Sequence, residues 1–218
     1  MNAAVHRLHL ATVWPEIEPI DVYGYLVLTD SHAVLVDTGV GGDSALVETR
    51  FRPRRRVISE LLSEHGVRPA DISTVINSHL HYDHCGNNRL FRNADIVVQS
   101  RELQAARRPG YTVAAWFDYE GARIREVSGD AEILPGVRVI ASYGHTPGHQ
   151  SVLIDDAPEP TLIAAQAAYT AAEYEAGGDT GQAFEGLERT YIKTIARLKS
   201  LGAGRICFSH DHRTLKAA

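Results

Sequence analysis

His79-Leu80-His81-Tyr82-Asp83-His84 sets four metal-capable side chains within six residues. Imidazole and carboxylate together suit zinc and its first-row neighbours. In an extended segment side chains alternate, so His79 and His81 share one side. Asp83 and His84 turn the other way and cannot easily share that metal. The loop thus offers two bidentate claws, for two metals held close together. Two further histidines, His149 and His210, stand in Gly- or turn-flanked contexts at the ends of expected strands.

These side chains must be positioned by strands and helices. With 218 residues the chain can bury a substantial core, and its 44% hydrophobic and 22% charged residues are ordinary for a soluble globular protein. A net charge of −5 argues against a nucleic-acid binder. No apolar run is long enough to span a membrane, and the N-terminus shows no signal core, so a cytoplasmic protein is expected. Cys85 and Cys207 are too few for a disulfide framework, and Cys85 is expected as a small buried residue rather than a ligand.

Strand signals run over Val5–Val13, Tyr25–Thr29, Ala33–Val36, Asp71–Asn77 and Asp95–Gln99. They continue over Arg123–Val127, Ala131–Leu134, Val137–Ala141, Gln150–Ile154, Thr161–Ala165 and Arg205–Phe208. Helices are expected from Val57 to a stop at Gly66, over Arg101–Arg108 and over Phe184–Leu201, with a short one in Gly86–Phe91. The basic run Arg50–Arg56 reads as a solvated loop entering a helix rather than a phosphate site. The metal-capable residues follow strands, as a site at one edge of two sheets would require. Strands followed by helices in both halves predict a layered sandwich.

The loop, taken with Gly144-His145-Thr146-Pro147-Gly148-His149 and His210, closely resembles the metallo-β-lactamase superfamily. The resemblance runs from about Tyr25 to His212 and implies a four-layer αβ/βα sandwich, here one domain over residues 1–218. By position it implies that His79, His81 and His149 hold a first zinc, and that Asp83, His84 and His210 hold a second. His145 matches the non-ligand His of its motif. Asp37 matches a carboxylate that orients a ligand imidazole through its other N–H. Ser78–Gly86, Ile96–Ser100, Gly144–Ser151 and Ala167-Ala168-Tyr169 resemble the N-acyl homoserine lactonase, or quorum-quenching, branch. In that branch a Tyr three residues after a bridging Asp donates to the substrate carbonyl, a role that would fall to Tyr169.

One position departs from the pattern. The bridging Asp is replaced by Gln166. A neutral amide brings one good oxygen where a carboxylate brings two anionic ones. With two zincs and one hydroxide the centre would carry about +2 rather than about +1. Gln166 is therefore expected to be a weak or absent ligand, and the zinc content to be one or two ions with the second weakly held. The resemblance implies a hydrolase that opens a lactone or related ester by attack of a metal-bound hydroxide, with Asp83 passing a proton to the leaving alkoxide. Trp14, Trp116 and Phe117 are candidates to line an acyl pocket. The competing readings are a thioester hydrolase resembling glyoxalase II and a metal-binding homologue without catalysis. The expected partner is a small lactone or ester, not nucleic acid or membrane, and a homodimer is allowed.

Overall fold

The computed structural model describes residues 3–155 and 159–216. The first sheet contains β1 (Ala4–Val13), β2 (Ile20–Leu28), β3 (Ala33–Val36), β4 (Arg54–Arg55), β5 (Ile72–Ile76), β6 (Asp95–Gln99) and β7 (Ile124–Val127). Its order is β4-β1-β2-β3-β5-β6-β7. The second contains β8 (Ala131–Leu134), β9 (Val137–Ala141), β10 (Gln150–Ile154), β11 (Thr161–Ala165), β12 (Arg205–Phe208) and β13 (Leu215–Lys216). Its order is β13-β12-β11-β10-β9-β8. The helices are α1 (Ala45–Phe51), α2 (Ile58–Ser63), α3 (Ser100–Ala106), α4 (Ala171–Ala176) and α5 (Glu188–Ser200).

Alternation along the strands divides the core into three apolar layers. Leu26, Leu35, Val75 and Ile96 face outward from the first sheet onto Val47 of α1, Leu61 and Leu62 of α2 and Leu103 of α3. Their neighbours Val27, Val34, Ile76 and Val97 face inward and meet Val139, Val152 and Ile163 of the second sheet. Leu153 and Leu162 face out from the second sheet onto Tyr174 of α4 and Tyr191, Ile195 and Leu198 of α5. Helices, sheet, sheet, helices: this is the expected αβ/βα sandwich.

Three local readings change. The basic run is not a plain loop. Ser44 caps α1 by accepting the Val47 N–H, Arg52 closes it in a left-handed conformation, and Arg54–Arg55 pair with β1 as an edge strand. Arg55 donates to the carbonyls of Val40 and Gly41 and to the Glu48 carboxylate, so the arginines fasten neighbouring loops. The last long helix begins at Glu188 rather than Phe184, because Gly186 turns the chain at φ 79° just before it. Gly86–Phe91 contributes only a single 3-10 turn, Asn88–Leu90. Both cysteines are buried free thiols, and burial pushes the Cys85 thiol up. Among the described residues no helix is long and apolar enough to cross a membrane.

Candidate metal centre

Strand β5 delivers the histidine loop at its C-terminal end, and Asp37 follows β3 alongside it. Asp37 adopts φ 62°, unusual for a residue with a Cβ. Its carboxylate is buried and fully used. Oδ1 accepts the Ser78 N–H at 2.7 Å, while Oδ2 accepts the Ser78 hydroxyl at 2.7 Å and His84 Nδ1 at 2.8 Å. Asp37 thereby fixes the His84 ring with Nε2 pointing away, the orientation a ligand needs.

Two groups of donor atoms gather here. Asp83, His84 and His210 bring one ligand atom each within 4.8 Å of one another. His210 is held by its Nδ1–H, which donates to the Asp21 carbonyl at 2.8 Å. Tyr169 stacks on the His210 ring at 4.7 Å and 21°. The other group is His79, His81 and His145. His79 Nε2 lies 3.0 Å from His81 Nδ1, and His145 Nε2 lies 3.3 Å from the same atom. His145, expected from the sequence to be a non-ligand, thus lies beside this pair, with its Nδ1 on the Gln182 carbonyl at 3.1 Å. His149 is buried next to them, its ring centroid 5.3 Å from that of His79. It has Ser142 Oγ on Nδ1 at 2.8 Å, and its Nε2 accepts the Gln166 N–H at 3.2 Å.

Gln166 reaches this place through a strained residue: Ala165 ends β11 at φ 54°, beside a register shift against β12. Three buried polar atoms here have no hydrogen-bond partner: His84 Nε2, His210 Nε2 and Gln166 Oε1. Such orphans are costly unless something else binds them. Two imidazole nitrogens beside an anionic Asp83 are donors of the kind a divalent cation takes, so the residues fit a metal.

Charge follows from burial. Desolvation and neighbouring histidines hold His79 and His145 well below the ordinary imidazole range. Burial takes His81 down to about 4 and His149 to about 3. His84 goes the other way. Burial opposes its charge, but the Asp83 and Asp37 carboxylates outweigh it and raise it to about 10. Asp83 also overcomes burial, drawn well below the usual carboxylate range by His84, His210 and His81.

A cleft of about 280 Å³ opens beside His81, lined by Val47, Arg50, Phe51, Tyr82, Tyr111 and Val113 among others. Phe51 and Tyr82 stack in its wall at 3.7 Å. Trp116 and Phe117 do not line it: they are buried in the outer core of the first sheet, and Trp14 lies outside it as well. Sequence reading also missed Glu102, buried on α3, whose signal was only a Glu in a helix start.

The chain matches the metallo-beta-lactamase superfamily over residues 17–210. It belongs to that superfamily. An N-acyl homoserine lactonase from Bacillus sp is 32% identical over 215 residues, covering 90% of this chain and 83% of the relative. One from Bacillus thuringiensis is 32% identical over 212 residues, covering 88% and 82%. A crystal structure of a B. thuringiensis lactonase mutant with N-decanoyl-L-homoserine at its active site superposes with TM-score 0.82 at 26% identity, covering 97% of this chain and 95% of that one. These relatives place the chain in the lactonase branch of the superfamily.

Proposed function

We propose that this protein is a zinc-dependent lactonase, one hydrolase domain over residues 1–218, that opens the ring of N-acyl homoserine lactones or closely related lactones and so quenches quorum signals. The observation that supports it most is the convergence of two histidine groups on one sheet edge, with His84 Nε2 and His210 Nε2 without hydrogen bonds and each 3.5 Å from the Asp83 carboxylate. The similar structure that holds N-hexanoyl-L-homoserine at its catalytic metal center is consistent with this chemistry.

A metal held by these side chains would supply a water nucleophile of lowered pKa and polarise the substrate carbonyl. His79 and His81 belong to the first site. Its third ligand is His149 by the family pattern and is approached by His145 in this geometry. Asp83, His84 and His210 belong to the second site. Water forms a C–O bond at the lactone carbonyl, the ring C–O bond then breaks, and a hydroxyl and a carboxylate remain with one proton released to solvent. Tyr169, stacked on His210, is suited to donate its phenol O–H to the developing oxyanion, since burial keeps that phenol protonated. Asp83, ionised at rest, would take a proton from the attacking water and pass it to the departing alkoxide. Gln166 leaves the centre short of one anion, so the second ion is held weakly.

The test is zinc content per chain and hydrolysis of a panel of acyl homoserine lactones and glutathione thioesters. Lactone opening that a chelator abolishes and zinc restores, with fewer than two zincs in the native protein and a gain in Gln166→Asp, is expected. Thioester hydrolysis without lactone opening would replace this reading with the glyoxalase-like one. Two tightly held zincs in the native protein would remove the role given to Gln166.

A further inference from the structure

The two histidine-bearing loops come from different sheets, yet one side chain touches both. Glu102 is fully buried on α3. Its Oε1 accepts the Leu80 N–H at 2.9 Å, between His79 and His81, and the Tyr111 hydroxyl at 2.5 Å. Its Oε2 accepts the Thr146 hydroxyl at 2.7 Å and the Gly148 N–H at 3.1 Å, between His145 and His149. The approach is so close that a Cβ on Gly148 would lie 2.1 Å from the Glu102 backbone nitrogen. Tyr111 in turn lines the cleft, with its ring 5.0 Å from that of His81.

We propose that Glu102 is a positioning residue that sets the spacing of the two loops holding the first metal and ties the cleft wall to them. A carboxylate suits the place because all four partners donate and it alone accepts at every site. An isolated buried charge would be expensive, and these four donors are what offset that cost. A glutamine of the same size cannot do the same. Its NH₂ would face either the Leu80 N–H or the Gly148 N–H, and a backbone N–H cannot turn round to accept. The effect therefore falls on loop spacing, not on the volume of the core. This inference rests on the metal reading of the histidines, but not on the identity of the substrate.

The test reads metal affinity by chelator competition and the visible spectrum of the cobalt-loaded protein, with far-UV circular dichroism of the metal-free protein as the folding control. Loss of such a supporting partner lowers metal affinity by roughly 10- to 100-fold. That loss is expected at the first site for Glu102→Gln, with a shifted cobalt spectrum. Thr146→Val removes one donor and should give a smaller loss in the same direction. Tyr111→Phe also removes one donor, so it should lower affinity in the same direction, and it should raise KM as well because Tyr111 lines the cleft. Folded Glu102→Gln with native affinity and spectrum would overturn the proposal. If that variant does not fold, Thr146→Val decides: native affinity there overturns it equally. A wild type that takes up neither zinc nor cobalt would instead sink the metal centre itself.

Discussion

His84 shows how one buried side chain can be matched to a metal and to a proton alike. Its Nδ1 lies 2.8 Å from Asp37 and its Nε2 lies 3.5 Å from Asp83, so without metal both nitrogens keep their protons, and the ring titrates near 10. A metal must take Nε2, and one proton has to leave. His79 and His81, depressed by burial, are already neutral at pH 7. Zinc binding at pH 7 is thus expected to release about one proton at the Asp83 group and none at the His79 group. Calorimetry in buffers of different ionisation enthalpy measures this, and equal release from both groups would contradict the assignment. Stability of the metal-free protein carries the opposite signs. His81 and His149 have folded values of about 4 and 3, below the unfolded 6.5, so the unfolded chain binds their protons first. Their contribution is present above pH 6.5 and is lost as pH falls towards 4 and then 3. His84 contributes fully below 6.5 and loses its contribution as pH rises towards 10. Urea midpoints of the metal-free protein should therefore decline on both sides of neutrality.

The elements around the site are joined by backbone approaches that leave no room for a side chain. Gly86 closes the histidine loop against the turn after β3, where an added Cβ would lie 1.8 Å from the Gly41 nitrogen. Gly86 N–H also donates to the Gly39 carbonyl at 2.8 Å. Gly86→Ala must push two backbones apart, at a cost of about 3 kcal/mol or more, the upper end for overpacking. Urea unfolding gives the stability, and a loss under 1 kcal/mol would mean that the two loops separate easily. Much at this scale was legible in the chain. The β-branched runs marked the main strands, and the position of the histidine loop after Val75-Ile76 was right. The elements that escaped were short: α1 and α4, with seven and six residues, and the two-residue strands β4 and β13. Such pieces are too brief to show an apolar period, and they are fixed by caps and neighbours instead. Ser44 before α1 and Thr170 before α4, each a capping residue, were the local signals available. Glu102 and the approach of His145 to His81 were hidden for another reason. Each depends on residues more than twenty positions away, which only the packed sandwich brings together.

At the scale of the whole molecule the site is a seam between two sheets, and the seam is closed by polar bonds at both of its ends. On one side Gln150 of β10 donates to the carbonyls of Asn77 and Val97 at 2.8 and 3.2 Å, and takes a bond from Gln99 at 3.0 Å. On the other side β2 meets the end of β12. Tyr23 N–H donates to the Ser209 carbonyl at 2.8 Å, the Tyr25 hydroxyl to the Phe208 carbonyl at 2.5 Å, and His210 to the Asp21 carbonyl at 2.8 Å. Tyr25 is almost wholly buried, so its hydroxyl has no water to turn to. Tyr25→Phe keeps the ring in the core between the sheets and removes only the tie to Phe208. That should lower stability by about 1–3 kcal/mol, the cost of leaving a buried partner unsatisfied. The local consequence is more telling than the global one. Phe208 lies two residues before His210, so loosening it should weaken the Asp83–His84–His210 group and spare the His79 group. Zinc titration of Tyr25→Phe should show the weaker site lowered in affinity and the tighter one unchanged. Equal weakening of both would mean that the two sheets move as one body, and that the seam does not divide the metal centre.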